Sequence, residues 1–196
     1  MNLPNKLTVG RLLLTVIFLA VIFSRIPYHQ TIALALFIAA SMTDYYDGMI
    51  ARRDKQITNF GILMDPLADK ILTCSAFIAF IELQQMPAWM VVVIVARELA
   101  ITGLRLLAAS QHLVLAAEGW GKHKTLSQVV AIISVLTLMS YEQWGALGQG
   151  VFGWKIGAQS WVYWFTSAAR WVTVILTLFS GSVYLWRNRE LYLKGA

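Results

Sequence analysis

Six apolar stretches dominate this 196-residue chain and limit the folds that it can adopt. Each stretch is close to the roughly 20 residues that a helix needs to cross the hydrocarbon core of a bilayer. Because 58% of the residues are hydrophobic and only 13% are charged, the composition is that of a membrane protein. The sequence therefore predicts an all-α integral membrane bundle of six transmembrane helices, forming a single domain over residues 1–196. The predicted spans are 7–26, 31–51, 66–84, 87–109, 124–144 and 161–186.

Basic residues are distributed unevenly over the predicted loops. The N-terminus and segments 52–55, 122–124 and 187–194 lie on one side and hold most of the Lys and Arg, whereas the opposite loops hold Arg25 and Lys155. The positive-inside rule then predicts a multi-pass protein of the plasma membrane with both termini in the cytoplasm. The net charge of +6 favours anionic lipids and phosphorylated substrates as partners. Nucleic acid is not expected, because the basic residues are scattered between apolar spans.

Four aspartates lie at the junction of the second and third spans. Asp44 and Asp47 are three residues apart, and Asp65 and Asp69 are four apart, so on helices each pair shares one face. Carboxylates at the ends of apolar helices are costly unless something compensates their charge. Two such pairs predict a cage of carboxylate oxygens for Mg²⁺ or Mn²⁺ rather than Zn²⁺, since neither His nor Cys takes part. The alternative is a set of ordinary salt bridges between the spans.

The same stretch carries residues suited to a diphosphate. Gly48 lies one helical turn after Asp44, and Arg52 lies one turn after Gly48. A glycine lets a ligand approach the backbone, and the guanidinium fork of an arginine binds phosphate oxygens. Gly61 permits a similar approach, although an ordinary turn glycine would look the same. Together with the aspartates, these residues predict a polar cavity on the cytoplasmic side of the bundle.

The pattern D-x2-D-G-x2-A-R-x8-G-x3-D-x3-D resembles the signature of the CDP-alcohol phosphotransferases, a family of integral membrane enzymes. The resemblance implies transfer of a phosphatidyl or similar group from a CDP-linked donor to an alcohol, with release of CMP. It also implies that Asp69 is the general base as well as a metal ligand, that two divalent ions are bound, and that the enzyme is a homodimer. Gly48, Arg52 and Gly61 would contact the CDP moiety. The positions that match are Asp44, Asp47, Gly48, Ala51, Arg52, Gly61, Asp65 and Asp69.

Further cations lie in and beside the fourth and fifth spans, and they predict a binding site for an acceptor that is itself a phosphate. Charged side chains inside a span usually face the protein interior or a water-filled cavity. Alternatives remain for each of them: Arg97 and Arg105 would pair with a structural acid such as Glu98, and the lysines would form a solvated cluster on the cytoplasmic side. The cations are Arg97, Arg105, Lys122 and Lys124.

Three segments resemble bacterial phosphatidylglycerophosphate synthases, a group within this family. They are P-N-x-L-T-x2-R at the N-terminus, A-R-E-x2-I-T-G-L-R at 96–105 and G-K-x-K-T at 121–125. The resemblance implies CDP-diacylglycerol as donor and sn-glycerol 3-phosphate as acceptor. It places Asn5, Thr8 and Arg11 near the substrate head groups, although an interfacial cap and anchor would use the same residue types.

Two kinds of rival function remain open at this point. Another member of the family would use an inositol phosphate or phosphatidylglycerol as the acceptor. A divalent-ion transporter would also need acids in its spans, but it should carry them deep in several spans rather than gathered at one rim. The sequence does not decide the role of Arg170 within the sixth span. It predicts an interfacial loop on the far side of the membrane for the glycine-rich segment 145–159.

Overall fold

The described part of the chain folds into six long helices and one short one. The computed structural model describes residues 3–54, 59–110 and 120–189, with side chains for 9–42, 70–109 and 123–189. The mostly helical architecture agrees with the predicted all-α class. The helices are α1 (Leu3–Ile22), α2 (His29–Asp54), α3 (Asn59–Glu82), α4 (Ala88–Ser110), α5 (Trp120–Ser140), α6 (Gly145–Phe152) and α7 (Trp161–Arg187).

The helices around the acidic stretch are longer than the sequence predicted. Residues 52–65 were expected to form a loop, yet α2 continues to Asp54 and α3 begins at Asn59. Pro66, the first residue of the predicted span 66–84, therefore lies inside α3 rather than at its start. The prediction was wrong because it relied on the polarity of this stretch, and polar side chains continue a helix readily when they lie outside the apolar region.

The segment 145–159 was also predicted incorrectly, because most of it has regular structure. A 3₁₀ turn (Tyr141–Trp144) leads into α6, and a small antiparallel hairpin follows, formed by β1 (Lys155–Ile156) and β2 (Gln159–Ser160). Two of the glycines serve close packing or a turn rather than flexibility. A Cβ at Gly148 would lie 2.0 Å from the Tyr141 carbonyl oxygen, and Gly157 has a φ of +68°.

Aromatic rings hold this far end of the bundle together. The Phe152 ring lies 5.6 Å from that of Trp144 and is stacked at 5.9 Å on that of Trp161, measured between centroids. The indole N–H of Trp161 donates to the Val151 carbonyl at 2.8 Å. These contacts join α6 to the start of α7, which explains why a stretch with five glycines is ordered.

The bundle buries polar side chains and exposes apolar ones. A core of aromatic and aliphatic residues, including Phe18, Phe37 and Phe80, joins α1, α2 and α3. Polar residues are buried as well, and many bond across helices: the Thr166 hydroxyl donates to the Ser134 carbonyl at 3.1 Å, joining α7 to α5. Large apolar side chains cover the outside. Examples with at least half of their surface exposed are Leu13, Val16, Val92, Leu99, Leu126, Trp171, Ile175 and Phe179.

Such an apolar exterior is unfavourable in water and suits contact with lipid. Within the described residues, His123–Phe152 and Trp161–Arg187 are long and apolar enough to cross a membrane. Shorter apolar helical stretches occur at Val9–Ile22 and His29–Met42. The apolar exterior and these helices together indicate a membrane protein, as the composition predicted.

Candidate active site

The four aspartates lie on two helices that follow one another in the chain. Asp44 and Asp47 belong to α2, and Asp65 and Asp69 belong to α3. The intervals of three and four residues therefore do fall on helices, so each pair shares one helical face. The aspartate side chains lie outside the part for which side chains are described. The metal cage thus stays a prediction from helix placement and chemistry.

The two aspartate pairs lie at similar distances along their helices from the connection between α2 and α3. Asp44 lies ten residues before the end of α2, and Asp69 lies ten residues after the start of α3. At a rise of about 1.5 Å per residue, each is about 15 Å along its helix from the connection. Only residues 55–58 separate Asp54 from Asn59, so the two helix ends are within about 18 Å of each other. Helix placement is thus compatible with one joint site.

The other predicted donor-site and head-group residues are also helical. Gly48 and Arg52 lie on α2 and Gly61 on α3, while Asn5 and Thr8 lie on α1 and Lys122 on α5. The side-chain surroundings of these six lie outside the described residues. Arg11, by contrast, is described: it is buried, and its carbonyl accepts a hydrogen bond of 2.9 Å from the Thr15 hydroxyl.

A buried carboxylate, that of Glu98, connects three helices close to this site. Glu98 lies near the middle of α4 and is only 3% exposed. Its Oε2 accepts a bond of 3.2 Å from the Lys70 ammonium of α3. Its Oε1 pairs with the Lys124 ammonium of α5 and accepts a bond of 3.1 Å from the Gln128 amide of the same helix. The Arg97 guanidinium lies 3.4 Å from that oxygen.

The Glu98 cluster, defined as Lys70, Arg97, Glu98, Lys124 and Gln128, carries a surplus of positive charge. Its three cations and one carboxylate leave two positive charges uncompensated within the cluster. Burial of unpaired charge is unfavourable, so a cluster of this kind is suited to receive an anion. Lys70 directly follows Asp69 on α3, which puts the cluster beside the predicted catalytic end of that helix.

Two cations predicted for the acceptor site, Arg97 and Lys124, meet in this cluster. The solvated alternative does not hold for Lys124, because this residue is only 5% exposed. The alternative for Arg97, pairing with Glu98, does occur, but the carboxylate is shared with two lysines. Sequence reasoning did not assign Glu98 or Lys70 to the site. An acid within an apolar span and a lysine next to Asp69 were the available signals.

Arg97 has further partners on α7. Its Nη2 donates to the Ser180 hydroxyl at 3.3 Å, and its side chain packs on Gly181, where a Cβ would lie 2.8 Å from the Arg97 Cγ. Within the described part of the chain, the buried Arg97 Nε has no hydrogen-bond partner. An orphaned buried donor in a positively charged cluster is a position that a ligand oxygen can satisfy.

Arg105 lies two turns further along α4, outside the cluster. Its Nε donates to the Tyr184 hydroxyl at 3.3 Å, and its guanidinium carbon lies 5.5 Å from the centroid of that ring. Arg105 is exposed, so it contributes charge at the rim rather than in the buried cluster. Of the predicted acceptor cations with described side chains, Arg97 and Lys124 therefore lie in the Glu98 cluster, whereas Arg105 lies outside it. Arg170, on α7, is half-buried and leaves its Nε without a hydrogen-bond partner in the described part.

Metal binding by the described side chains is not indicated. Among residues 9–42, 70–109 and 123–189, no group of three or more His, Cys, Asp or Glu side chains lies close enough to hold an ion. The four aspartates lie outside that part. Their donor set of carboxylate oxygens alone fits a hard divalent cation, and the two helices supply it in pairs.

Comparisons with known proteins identify the family of this chain. A profile of the CDP-alcohol phosphatidyltransferase family matches residues 1–179. The chain is 36% identical to the CDP-diacylglycerol–glycerol-3-phosphate 3-phosphatidyltransferase of Bacillus subtilis (strain 168), over 96% of both chains. The protein of the same name from Cereibacter sphaeroides is 31% identical, over 98% of this chain and 97% of its own length. That from Mycoplasma pneumoniae is 33% identical, over 79% of this chain and 77% of its own length. This chain belongs to the CDP-alcohol phosphatidyltransferase family.

Proposed function

We propose that this protein transfers the phosphatidyl group of CDP-diacylglycerol to sn-glycerol 3-phosphate, giving phosphatidylglycerophosphate and CMP. Relatives that align with nearly the whole chain carry the name of this reaction. The observation that carries the choice of acceptor is the surplus of two positive charges around Glu98. A phosphate monoester carries about 1.5 to 2 negative charges at neutral pH, so it matches this surplus. Choline, ethanolamine or serine would not need it.

In this proposal the six long helices are six membrane spans, and the polar cavity opens to the cytoplasm. The distribution of Lys and Arg over the loops supports that orientation in the plasma membrane. CDP-linked lipids and soluble phosphates are available on that side. The acyl chains of the donor stay in the bilayer while the head group enters the cavity. As the family resemblance implies, the enzyme is proposed to act as a homodimer.

The donor diphosphate would be held at the acidic ends of α2 and α3. Members of the family generally depend on divalent metal ions. Mg²⁺ or Mn²⁺, with two ions proposed, would offset the negative charge on the diphosphate and on the departing CMP. Gly48 and Gly61 leave space for the CDP moiety near the backbone, and Arg52 binds its phosphate oxygens. The ligands proposed for the ions are Asp44, Asp47, Asp65 and Asp69.

The acceptor hydroxyl is a poor nucleophile until it loses its proton. Asp69 takes that proton, and this residue directly precedes Lys70 of the Glu98 cluster on α3. The three cations of that cluster, together with Arg105 and Lys122, bind the acceptor phosphate. Holding the phosphate there places the acceptor hydroxyl near Asp69 and limits its orientations, which lowers the entropic part of the barrier. Asn5, Thr8 and Arg11 of α1 line the head-group region in this proposal.

A panel of acceptors tests the function directly. CMP release from CDP-diacylglycerol by the purified protein, with Mg²⁺ present, is expected with sn-glycerol 3-phosphate. Little release is expected with an inositol phosphate or with phosphatidylglycerol. Efficient turnover with either of these would assign the chain to another reaction of the same family. Metal flux in proteoliposomes without any CMP release would instead favour a transporter.

Replacing Lys124 with methionine is expected to weaken acceptor binding while leaving donor binding intact. The change keeps the length of the side chain but removes a charged hydrogen-bond donor that is worth about 1.5 to 3 kcal/mol, so KM for glycerol 3-phosphate should rise roughly tenfold to a hundredfold. KM for CDP-diacylglycerol should change little. Steady-state kinetics with each substrate varied in turn measure both constants.

Lys155→Met is the matched control, because Lys155 is an exposed lysine on the hairpin at the far end of the bundle. Its kinetic constants should equal those of the wild type. If Lys124→Met raised only the KM for the lipid donor, the proposed division between donor and acceptor sites would be incorrect.

A further inference from the structure

One carboxylate contacts every cation in the Glu98 cluster. Glu98 is approached by Lys70 from α3, by Arg97 from its own helix and by Lys124 from α5. The Gln128 amide donates a fourth contact at 3.1 Å. Lysine side chains have many rotamers, and three like charges repel one another, so these cations would not gather here without a shared partner.

The contacts of Lys70 add to this constraint. Its ammonium also donates to the Glu98 carbonyl at 3.3 Å and to the Thr102 hydroxyl. Thr102 in turn donates to the same Glu98 carbonyl at 2.7 Å. Lys70 is therefore fixed by both the side chain and the backbone of Glu98. Since Lys70 follows Asp69 directly, the position of α4 is tied to the half of α3 that carries the proposed base.

An ordinary structural ion pair would have equal numbers of positive and negative groups. Buried charges that serve stability alone are compensated within the protein, whereas among the described side chains this cluster has three cations for one carboxylate. Arg97 also leaves its Nε without a partner in the described part of the chain. A lysine ammonium has three donors, so Lys124 can bond to Glu98 and still donate to a ligand. The three contacts of Lys70, with the Glu98 carboxylate, the Glu98 carbonyl and the Thr102 hydroxyl, use all of its donors, so Lys70 attracts an anion through its charge.

We propose that Glu98 is a positioning residue for the acceptor: its buried carboxylate holds Lys70, Arg97 and Lys124 in the arrangement that receives the acceptor phosphate. The inference rests on the proposed function and adds Lys70 to the acceptor site. Glu98 itself does not touch the acceptor, because two negative groups repel. It acts by preorganising the cations, so that little reorganisation is required when the phosphate binds.

Glu98→Gln gives a test in which charge and positioning predict opposite results. By charge alone, removal of a negative group should strengthen phosphate binding and lower KM for glycerol 3-phosphate. Loss of positioning should instead raise this KM, by roughly tenfold or more, because a charged hydrogen-bonding partner of three cations is removed. KM for CDP-diacylglycerol should stay within about twofold of the wild type. An unchanged or lowered acceptor KM would overturn the proposal.

A double-mutant cycle shows whether Glu98 acts through its cations. In the Lys124→Met background, Glu98→Gln should raise the acceptor KM by a smaller factor than it does in the wild type. If the factor by which the double variant raises the acceptor KM equals the product of the two single-variant factors, Glu98 acts independently of Lys124, and this result would overturn the proposal. Glu82→Gln serves as the control, since Glu82 is an exposed acid at the opposite end of α3 and should leave all constants unchanged.

Two further measurements keep the test decisive. If Glu98→Gln does not fold, Glu98→Asp keeps the charge but shortens the side chain, and it should still raise the acceptor KM. Thermal stabilisation of the purified protein by glycerol 3-phosphate should be seen in the wild type and be reduced in the variant; an equal shift in both would contradict the inference. If the wild type releases CMP only with another phosphorylated acceptor, the proposed function fails, and the same cycle run with that acceptor still tests Glu98.

Discussion

Replacing Asp69 with asparagine is expected to lower the rate of CMP release by about a hundredfold to ten-thousandfold, the range over which a positioned general base contributes. The substitution is nearly isosteric, so the fold should be retained. An amide does not accept the proton of the acceptor hydroxyl at neutral pH, and it is a weaker ligand for a hard cation than a carboxylate. Single-turnover assays of CMP release at saturating glycerol 3-phosphate measure the effect.

Asp54→Asn is the matched control for this substitution. Asp54 lies in the same acidic stretch, at the end of α2, but it does not occupy a fixed position of the family pattern. It should retain close to wild-type turnover, and both variants should melt and elute from gel filtration as the wild type does. Near-normal activity of Asp69→Asn would remove this residue from the proposed role and leave the base to be found among other groups.

Removal of divalent metal should abolish the reaction almost completely. The donor diphosphate brings several negative charges to the four aspartates, and without bound cations the two sets repel. Cationic stabilisation of phosphoryl oxygens is worth several kcal/mol, so the rate in the presence of a chelator should fall on the order of a thousandfold. Addition of Mg²⁺ or Mn²⁺ should restore it.

A spectroscopic measurement separates metal binding from turnover. Binding of Mn²⁺ followed by electron paramagnetic resonance should detect two sites in the wild type and weaker binding in Asp44→Asn and Asp65→Asn. Asp54→Asn should bind as the wild type does. Undiminished turnover in excess chelator, or Mn²⁺ binding that is insensitive to both substitutions, would contradict the assignment of the aspartates as ligands.

The residue pattern was sufficient for the parts of the protein that depend on local chemistry. Apolar stretches of membrane length predicted the long helices, because a helix in lipid must satisfy its own backbone. The spacing of Asp44, Asp47, Asp65 and Asp69 predicted shared helical faces, and both pairs do lie on helices. The family pattern predicted the family to which the chain belongs. The ligand geometry at these aspartates remains a prediction.

Prediction from local sequence failed where packing decides the conformation. Segment 145–159 looks like a loop because of its glycines, yet aromatic contacts such as that between Phe152 and Trp161 order it. Residues 52–65 look like a loop because they are polar, yet most of them extend α2 and α3. In both cases the outcome depends on contacts or helix continuity that composition does not encode.

By itself, the sequence determined the helical membrane architecture, the family and the aspartates and acceptor cations on which most of the proposed chemistry depends. Only the tertiary structure decided which charged residues meet. Glu98 is 28 residues from Lys70 and 26 from Lys124 in the chain, and no spacing rule relates them. They come together because α3, α4 and α5 pack in one bundle, and a buried carboxylate is stable only where cations from neighbouring helices reach it.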